Sequence, residues 1–444
     1  MKTIIIGGVA AGMSCASKLR RLDPNHTIHV YEKGQDLSYG GCGMPYYLGN
    51  VIPDIRQLIA RTKDDFEKQN IQVFLSSEVI EVVPEKKEII IKDLTTNHTF
   101  IDNYDHLVIA TGTSANRTQV DGSNQSKIYV LNSLEDARSI KQNINGVKEV
   151  AIIGGGYIGL EIAENLNSLG IKVHIIERSN QLLIVYDTKI AEEAKKILQK
   201  NNISIYLDEQ LESYQPHHHQ TIITTNKRSL TVDMVIESIG VRPNTSFLKN
   251  TGIDMLLNGA IITNEYQESS IKDIYAAGDC AAYYHQILKT PVFVPLGTHA
   301  NKTGRIMAEN IAGLKSEFNG IIGSNVIKIE DYAFAKTGIG FDEAKRYGFN
   351  YQFVDVIAKN QSGYYPGAEP IHVRMVYDPK TTIIKGCQIY GKKGVTDRIN
   401  VMAIAIINQM TAADFAQSDL AYAPPFSPVW DPLLVAANQI GKPE

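Results

Sequence analysis

Cysteine is scarce in this sequence, and the few cysteines present are far apart. The 444 residues include only Cys15, Cys42, Cys280 and Cys387. Because no two of them are close in sequence, a disulfide scaffold is excluded and a reducing compartment is favoured. Tryptophan is rarer still, with Trp430 the single example.

Long apolar runs are also lacking. No stretch approaches the roughly 20 apolar residues that a membrane-spanning helix needs. Residues 1–7 contain too short an apolar run for a secretory signal peptide and become glycine-rich at once. We therefore expect a cytoplasmic protein without a membrane partner.

An excess of positive charge is absent as well. The 48 acidic and 44 basic side chains give a formal net charge of −4, which offers no support for nucleic-acid binding.

The cysteines lack metal-ligand spacing, and the three histidines at 217–219 are interpreted as part of a solvated polar turn. No metal site is therefore predicted. The length favours about three domains.

A glycine-rich turn follows the first apolar segment. Residues 3–6 are typical of a buried strand, residues 13–22 of a helix, and a second strand, Thr27–Tyr31, ends at an acidic residue. This order is the signature of a dinucleotide site, in which the helix N-terminus receives the pyrophosphate and the acid holds the ribose. Val9 replaces the usual middle glycine. The candidate binding residues are Gly7, Gly8, Gly12, Glu32 and Lys33.

The pattern repeats from residue 150. A strand at 150–153 leads into a turn with all three fingerprint glycines, Gly154, Gly156 and Gly159, and a helix at 160–169 follows. The next strand ends at Glu177, an acid that favours the free 2′-hydroxyl of NADH over the 2′-phosphate of NADPH. Arg178 beside it softens that preference, so NADPH remains possible.

Two similar segments frame the second unit. Residues 104–112 and 233–243 each read as a strand that runs into a glycine turn, as expected where one domain is inserted in another. A third strand, at 273–277, ends in Gly-Asp, which suits a hydrogen bond to the sugar-like chain of a second cofactor or, alternatively, a strand-end cap. The candidate residues are Ala110, Thr111, Gly112, Gly278 and Asp279.

In this order the motifs resemble those of the flavin-dependent pyridine nucleotide-disulfide oxidoreductases, over essentially the whole chain. The resemblance implies an α/β fold with two Rossmann-like dinucleotide-binding domains, one inserted in the other, and a C-terminal α+β dimerisation domain. It implies a homodimer that binds FAD through residues 1–112 and 241–322 and NADH or NADPH through 113–240. Residues 323–444 would dimerise, with strands at 326–329, 351–357, 372–377 and 383–390.

The same resemblance suggests roles for three cofactor-site residues. A helix at 296–312, with Thr298 in its first turn, would face the pyrimidine end of the flavin. Tyr157 resembles an aromatic lid over the flavin, although a packing role is nearly as well supported. Glu161 would touch the nicotinamide or merely cap a surface.

Cys42 is the expected redox-active residue. Relatives in this family commonly carry a second cysteine five residues later, where this chain has Tyr47. A single cysteine is typical of the branch that contains coenzyme A-disulfide reductases, NADH oxidases and NADH peroxidases. Pro45 suits a first helical turn, which would leave Cys42 at a positive helix end and lower its pKa.

Other positions favour disulfide reduction within that branch. Ala10 stands where the oxidases and peroxidases tend to have a histidine, which counts against a dedicated peroxidase. Tyr364 and Tyr422 resemble tyrosines that reach the active site across the dimer, where a phenol protonates the departing thiolate. The alternative is that both only pack in the dimer interface.

The resemblance also suggests substrate-binding residues. Positions 14, 18 and 21 share one face of the first helix, which would point toward the cysteine and hold a phosphate of coenzyme A, or form a solvated basic face. Gly41 and Trp430 replace an asparagine and a lysine of the reductases, so a related small disulfide or persulfide is an alternative to coenzyme A disulfide. The candidates are Ser14, Lys18, Arg21, Ser38, Asn301 and Trp430.

Three functions follow from these residues. The first is reduction of coenzyme A disulfide, or a related small disulfide or persulfide, by NADH or NADPH through FAD and Cys42. The second is an NADH oxidase that reduces oxygen or peroxide through a Cys42 sulfenic acid. The third is a redox-sensing flavoprotein with little turnover.

Overall fold

The computed structural model describes residues 1–125 and 127–441. The strands of this part of the chain are β1 (Lys2–Ile6), β2 (Thr27–Tyr31), β3 (Ile71–Phe74), β4 (Ser77–Val83), β5 (Glu88–Asp93), β6 (Thr99–Asn103), β7 (His106–Ile109), β8 (Thr113–Ala115), β9 (Ile128–Val130), β10 (Glu149–Ile153), β11 (Lys172–Ile176), β12 (Ser204–Tyr206), β13 (Leu211–His217), β14 (Gln220–Thr225), β15 (Ser229–Val232), β16 (Met234–Glu237), β17 (Val241–Pro243), β18 (Ile261–Ile262), β19 (Ile274–Ala276), β20 (Ala281–His285), β21 (Thr290–Val292), β22 (Asn325–Ile329), β23 (Tyr332–Gly338), β24 (Gln352–Lys359), β25 (Pro370–Tyr377) and β26 (Ile384–Gly391).

The helices of the same residues are α1 (Ala10–Leu22), α2 (Met44–Leu48), α3 (Lys63–Glu67), α4 (Leu134–Asn143), α5 (Tyr157–Asn167), α6 (Thr188–Lys200), α7 (Gly297–Ile311), α8 (Phe341–Arg346), α9 (Val395–Ile407), α10 (Ala412–Ala416) and α11 (Pro432–Ala437). None of these helices is both long and apolar enough to cross a bilayer. Across the described ranges, no group of three or more His, Cys, Asp or Glu side chains is arranged to hold a metal ion.

The first glycine turn belongs to a parallel sheet with strand order β19-β7-β1-β2-β3. Its central strand is fully buried at Ile4 and Ile5, as expected for a parallel strand covered on both faces. Helix α1 packs closely against α7, because a Cβ on Gly304 would lie 2.4 Å from the Ala11 carbonyl oxygen. This contact places the N-termini of both helices at one edge of the sheet.

The second glycine turn belongs to a parallel sheet of the same design, with order β12-β11-β10-β16-β9. Helices α1 and α5 begin at Ala10 and Tyr157, each three residues before the predicted start. The difference has a physical reason: the glycine turns end inside the first helical turn, so their amides are already oriented along the helix axis.

The segments between the two sheets lie side by side. Strand β8 pairs with β17 in antiparallel fashion, directly where the chain leaves the first sheet and returns to it. The Thr111 hydroxyl donates to the Asn244 carbonyl oxygen at 2.8 Å, and the Asn244 amide nitrogen donates to the Thr111 carbonyl oxygen at 3.0 Å. The two segments predicted as domain crossings are therefore hydrogen-bonded to each other.

The C-terminal part is an antiparallel sheet of order β22-β23-β26-β25-β24, with α9 and α11 packed on it. Sequence analysis missed β23, because its pattern includes a lysine, Lys336, which is nevertheless 5% exposed and ion-paired with Glu343 at 2.5 Å. The other four strands lie within about two residues of their predicted bounds.

Candidate active site

Cys42 lies in a single 3₁₀ turn, Gly41–Gly43, that leads into the five-residue helix α2. It is exposed, whereas Cys15, Cys280 and Cys387 are buried. Pro45 occupies the first turn of α2 as predicted. Of the described thiols, Cys42 is therefore the one that an external disulfide can reach.

The prediction that a helix dipole lowers the pKa of Cys42 is wrong. The protein around the thiol raises its pKa by desolvation, and the carboxylates of Glu161 and Asp279 raise it further. Although the side chain is exposed at its surface, it sits close enough to the surrounding protein to lose part of its hydration. Helix α2 is too short to oppose these effects, and Cys42 precedes it by two residues.

Helix α2 is held from the side by α4. The Lys141 ammonium donates to the carbonyl oxygens of Tyr47 at 3.0 Å and Leu48 at 2.8 Å. It also lies 5.3 Å from the centre of the Tyr47 ring. Arg138 binds Asp36 through two bonds of 2.6 and 2.7 Å. Tyr47, which replaces the second cysteine, is thus part of the support for the Cys42 segment.

The acid of the first fingerprint closes its own glycine turn. One Glu32 oxygen accepts from the Gly8 amide at 2.6 Å and the other from the Gly34 amide at 2.7 Å. Gly7 has φ +106°, and a Cβ there would lie 2.1 Å from the Ala110 carbonyl oxygen. The turn therefore requires glycine at this position, while Lys33 points away and pairs with Glu78 at 2.7 Å on the surface.

The second fingerprint repeats this arrangement. The two Glu177 oxygens accept from the Gly155 and Ser179 amides, each at 2.7 Å. A Cβ on Gly156 would meet no atom within 4 Å, whereas one on Gly159 would lie 2.4 Å from the Gly154 carbonyl oxygen. Open space beside Gly156, at the N-terminus of α5, is the room that a pyrophosphate needs.

One acidic side chain at the strand ends of the first sheet, Asp279, has no hydrogen-bond partner among the described residues. Asp279 is partly buried, accepts no hydrogen bond from any described residue, and has its pKa raised by desolvation. The preceding Gly278 has φ +80° and donates to the Tyr283 hydroxyl at 2.8 Å. Gly297 and Thr298, in the first turn of α7, are exposed. An open carboxylate and an exposed helix N-terminus fit the hydroxyl-rich chain and ring of a flavin dinucleotide.

Tyr157 is the first residue of α5, and Glu161 lies about one helical turn later. The Tyr157 hydroxyl donates to Asn325 Oδ1 at 2.7 Å, and the Tyr186 hydroxyl donates to the same oxygen at 2.9 Å. Asn325 and Tyr186 were not identified from the sequence, because nothing in their local pattern signals a shared contact. Glu161 is partly buried, and its pKa is raised to about 7 by desolvation and by the charge of Glu164.

The predicted substrate-binding residues of α1 have different environments in the structure. The Ser14 hydroxyl donates to Asn301 Oδ1 at 2.8 Å, so these two candidates lie together at the α1–α7 contact. Lys18 forms an ion pair with Glu309 of α7 at 2.9 Å, and Arg21 is exposed. Ser38, with φ +49°, lies in the loop before Cys42. The charge of Lys18 is thus largely compensated within the chain.

Tyr364 and Tyr422 form a pair on the C-terminal part. Their hydroxyl oxygens lie 3.2 Å apart, and the side chains are 76% and 46% exposed. The shared hydrogen bond lowers the pKa of Tyr364 and raises that of Tyr422. Within the described residues, neither phenol hydrogen-bonds to Cys42. The structure brings the two phenols together but leaves them facing outward.

A buried ion pair holds the two tyrosine loops. Arg398 binds Asp431 at 2.8 Å and donates to the Asn360 carbonyl oxygen at 3.0 Å. The Ser427 hydroxyl donates to Asp431 at 3.0 Å. Arg398 thereby joins the loop before Tyr364 to the segment after Tyr422. The sequence does carry a signal for the helix that begins here, because the acidic residue Asp431 directly precedes Pro432.

Exposed apolar side chains occur on α9 and in the segment that follows Tyr422. They are Val401, Ile404, Ile407, Phe426, Val429 and Trp430, of which Phe426 is 78% exposed. Exposed apolar side chains mark an interaction site where they form one patch. Trp430, the remaining substrate-site candidate, is 62% exposed.

Comparison with known proteins gives a consistent result over the whole chain. A family model described as pyridine nucleotide-disulphide oxidoreductase matches residues 1–329, and the dimerisation domain of the same family matches residues 325–432. A coenzyme A disulfide reductase of Staphylococcus aureus (strain NCTC 8325 / PS 47) is 34% identical over 430 residues, which is 96% of each chain.

Two solved structures extend the comparison. A water-forming NADH oxidase from Lactobacillus brevis, bound to NADH, superposes with a TM-score of 0.97 at 28% identity and covers 99% of this chain and 98% of its own. An NAD-dependent persulfide reductase from A. fulgidus has a TM-score of 0.96 at 31% identity and covers 99% of this chain and 83% of its own.

Proposed function

The chain belongs to the pyridine nucleotide-disulphide oxidoreductase family and is an FAD-dependent oxidoreductase, and on that premise we propose that it reduces coenzyme A disulfide or a related small disulfide or persulfide. The observation that carries the proposal is Cys42, the one exposed thiol among the described residues. The 34% identity of the chain to a coenzyme A disulfide reductase supports this substrate class.

The residues that hold the flavin are proposed from the first sheet. Gly7, Gly12 and Glu32 would bind the adenosine diphosphate half, and Asp279 with Thr298 the flavin half, within residues 1–112 and 241–322. When bound, FAD supplies two-electron transfer between a nicotinamide and a disulfide that includes Cys42. The unpartnered Asp279 carboxylate supports this assignment, since a sugar-like chain offers hydroxyl donors.

The nicotinamide cofactor is assigned to the second sheet, within residues 113–240. Gly154, Gly156 and Gly159 would receive its pyrophosphate. The Glu177 carboxylate would accept from the ribose 2′-hydroxyl, which favours NADH over NADPH. Arg178 is exposed beside it and has no described partner, so NADPH remains an accepted cofactor in this proposal.

Cys42 and the two phenols perform the sulfur chemistry. The Cys42 thiolate attacks one sulfur of the disulfide, so that a Cys42–sulfur bond forms and the original sulfur–sulfur bond breaks. The departing thiolate takes a proton from the Tyr364–Tyr422 pair. Because these phenols face outward, a second copy of the chain contributes them, in a homodimer formed through residues 323–444.

A second candidate is an NADH oxidase. The TM-score of 0.97 with the Lactobacillus brevis oxidase favours it, and an exposed thiol can form a sulfenic acid. Ala10, in the glycine turn, carries no group to assist cleavage of an oxygen–oxygen bond. A redox sensor with little turnover is the third candidate.

Anaerobic kinetics distinguish these functions. Under argon, we expect steady NADH consumption with coenzyme A disulfide, and loss of at least about a thousandfold in Cys42→Ser because the nucleophile is gone. Cys280→Ser, which changes a buried thiol, is the matched control and should keep the rate. Turnover in air alone would favour the oxidase, and flavin reduction without turnover on any acceptor would favour the sensor.

A further inference from the structure

Asn325, the first residue of β22, connects the C-terminal sheet to two tyrosines that lie on either side of β11 in sequence. Its Oδ1 accepts from the Tyr157 hydroxyl at 2.7 Å and from the Tyr186 hydroxyl at 2.9 Å. Its Nδ2 donates to the Gly323 carbonyl oxygen at 3.2 Å, which directs the amide oxygen toward the two phenols. One side chain of the C-terminal part therefore holds two tyrosines of the second dinucleotide unit.

The two tyrosines depend on Asn325 to different degrees. Tyr186 is 2% exposed and also donates to the Phe334 carbonyl oxygen at 3.0 Å. Tyr157 is partly buried, and its single hydroxyl proton goes to Asn325. Loss of the Asn325 amide thus leaves Tyr186 with a second acceptor, whereas Tyr157 loses the acceptor that anchors it.

Tyr157 is the first residue of α5, and the N-cap before it is Gly156. Glycine has no side chain to accept from the first amides, so this helix begins without the usual cap. The first amides of a helix have no partner within it, and here they border the open space beside Gly156. The anchored phenol of Tyr157 therefore does the work of a cap, because it holds the first turn of α5 from outside.

A second contact joins α5 to the same strand. Glu164, about two helical turns after Tyr157, forms an ion pair with Lys328 of β22. Glu164 is 9% exposed, so this pair lies in the interface between helix and strand. The body of α5 is thus fixed to β22 by the ion pair, and its first turn is fixed by Asn325.

We propose that Asn325 is a positioning residue for the nicotinamide cofactor. Through Tyr157 it keeps the first turn of α5 in the conformation whose amides receive the pyrophosphate, so the site is organised before the cofactor binds. The inference rests on the proposed function, in which Gly154, Gly156 and Gly159 receive that pyrophosphate. The C-terminal part thereby contributes to cofactor affinity.

The test is the affinity of the oxidised, FAD-loaded protein for ADP-ribose and for NAD⁺, measured by isothermal titration calorimetry. ADP-ribose carries the pyrophosphate but has no nicotinamide ring. Asn325→Leu keeps the size of the side chain and removes its acceptor, and we expect both dissociation constants to rise about tenfold. Tyr157→Phe removes the same hydrogen bond from its other end and should have the same effect. The double variant should bind no more weakly than either single variant.

Ser324→Ala is the matched control, because it removes a hydrogen bond of 2.7 Å to the Thr337 hydroxyl directly beside Asn325. Both of its dissociation constants should equal those of the unaltered protein. Unchanged constants in Asn325→Leu and Tyr157→Phe overturn the proposal even where the melting temperature falls, because the hydrogen bond then serves stability alone. Tighter NAD⁺ binding with unchanged ADP-ribose binding also overturns it, since Tyr157 would then obstruct the nicotinamide ring.

Should Asn325→Leu not fold, Tyr157→Phe decides by the same two constants. The measurement involves no disulfide, so failure to reduce coenzyme A disulfide would overturn the substrate assignment and leave this result standing. An unaltered protein that does not bind ADP-ribose would overturn the cofactor assignment and this inference together.

Discussion

At the scale of single residues, the molecule places an exposed thiol and an exposed phenol pair on different parts of one chain. Cys42 lies in the short turn before α2, whereas Tyr364 and Tyr422 share a hydrogen bond on the C-terminal part. The identities of these residues were predicted from sequence. The direction of the shift in the Cys42 pKa was not predicted, because it depends on desolvation by the surrounding protein and on carboxylates that are remote along the chain.

The phenol pair gives a prediction at this scale. Tyr364→Phe removes one hydroxyl of the pair and should lower kcat for disulfide reduction by about a hundredfold, with little change in KM, because a general acid acts only as the thiolate departs. Steady-state kinetics under argon measure both constants.

Tyr365→Phe is the matched control for this change. Tyr365 is the adjacent phenol, 41% exposed, and its hydroxyl lies outside the pair. We expect it to retain activity. Equal losses in both variants would show that these phenols serve packing rather than proton transfer.

At the scale of secondary structure, α4 decides where the Cys42 segment sits. Lys141 caps the last carbonyl groups of α2, a helix too short to be stable by itself. Sequence analysis predicted the helix but not its support, because a lysine that caps another helix has no signature in its own pattern.

Lys141→Met should therefore loosen α2 without altering its sequence. Loss of these bonds from a partly buried ammonium should destabilise the segment by about 1–2 kcal/mol, and amide hydrogen exchange in residues 44–50 should accelerate. Lys148→Met, at an exposed position nearby, should leave the exchange unchanged. Slow exchange in both variants would contradict the capping role.

At the scale of the whole molecule, the active site is proposed to be completed by a second chain. The dimerisation domain of the family matches residues 325–432, and exposed apolar side chains occur on α9 and in the segment that follows Tyr422. The Arg398–Asp431 ion pair and the hydrogen bond from Arg398 to the Asn360 carbonyl oxygen connect the two phenol-bearing loops.

Complementation between two inactive variants tests this arrangement. Cys42→Ser should be mixed with Tyr364→Phe/Tyr422→Phe under conditions that exchange subunits. Half of the dimers become hybrids with one intact site, so we expect recovery of about a quarter of the unaltered activity. No recovery would indicate that the phenols serve their own subunit, and size-exclusion chromatography checks that exchange occurred.

The sequence by itself determined the fold class, the two glycine turns, their acids and the single thiol, because each depends on spacing along one strand–turn–helix unit. Only the tertiary structure decided which of these residues act together. Helix α5 packs on α2, the helix that follows Cys42, and Asn325 joins Tyr157 to Tyr186 across two parts of the chain. Electrostatic energy depends on distance in space and on burial, and neither is encoded in local spacing.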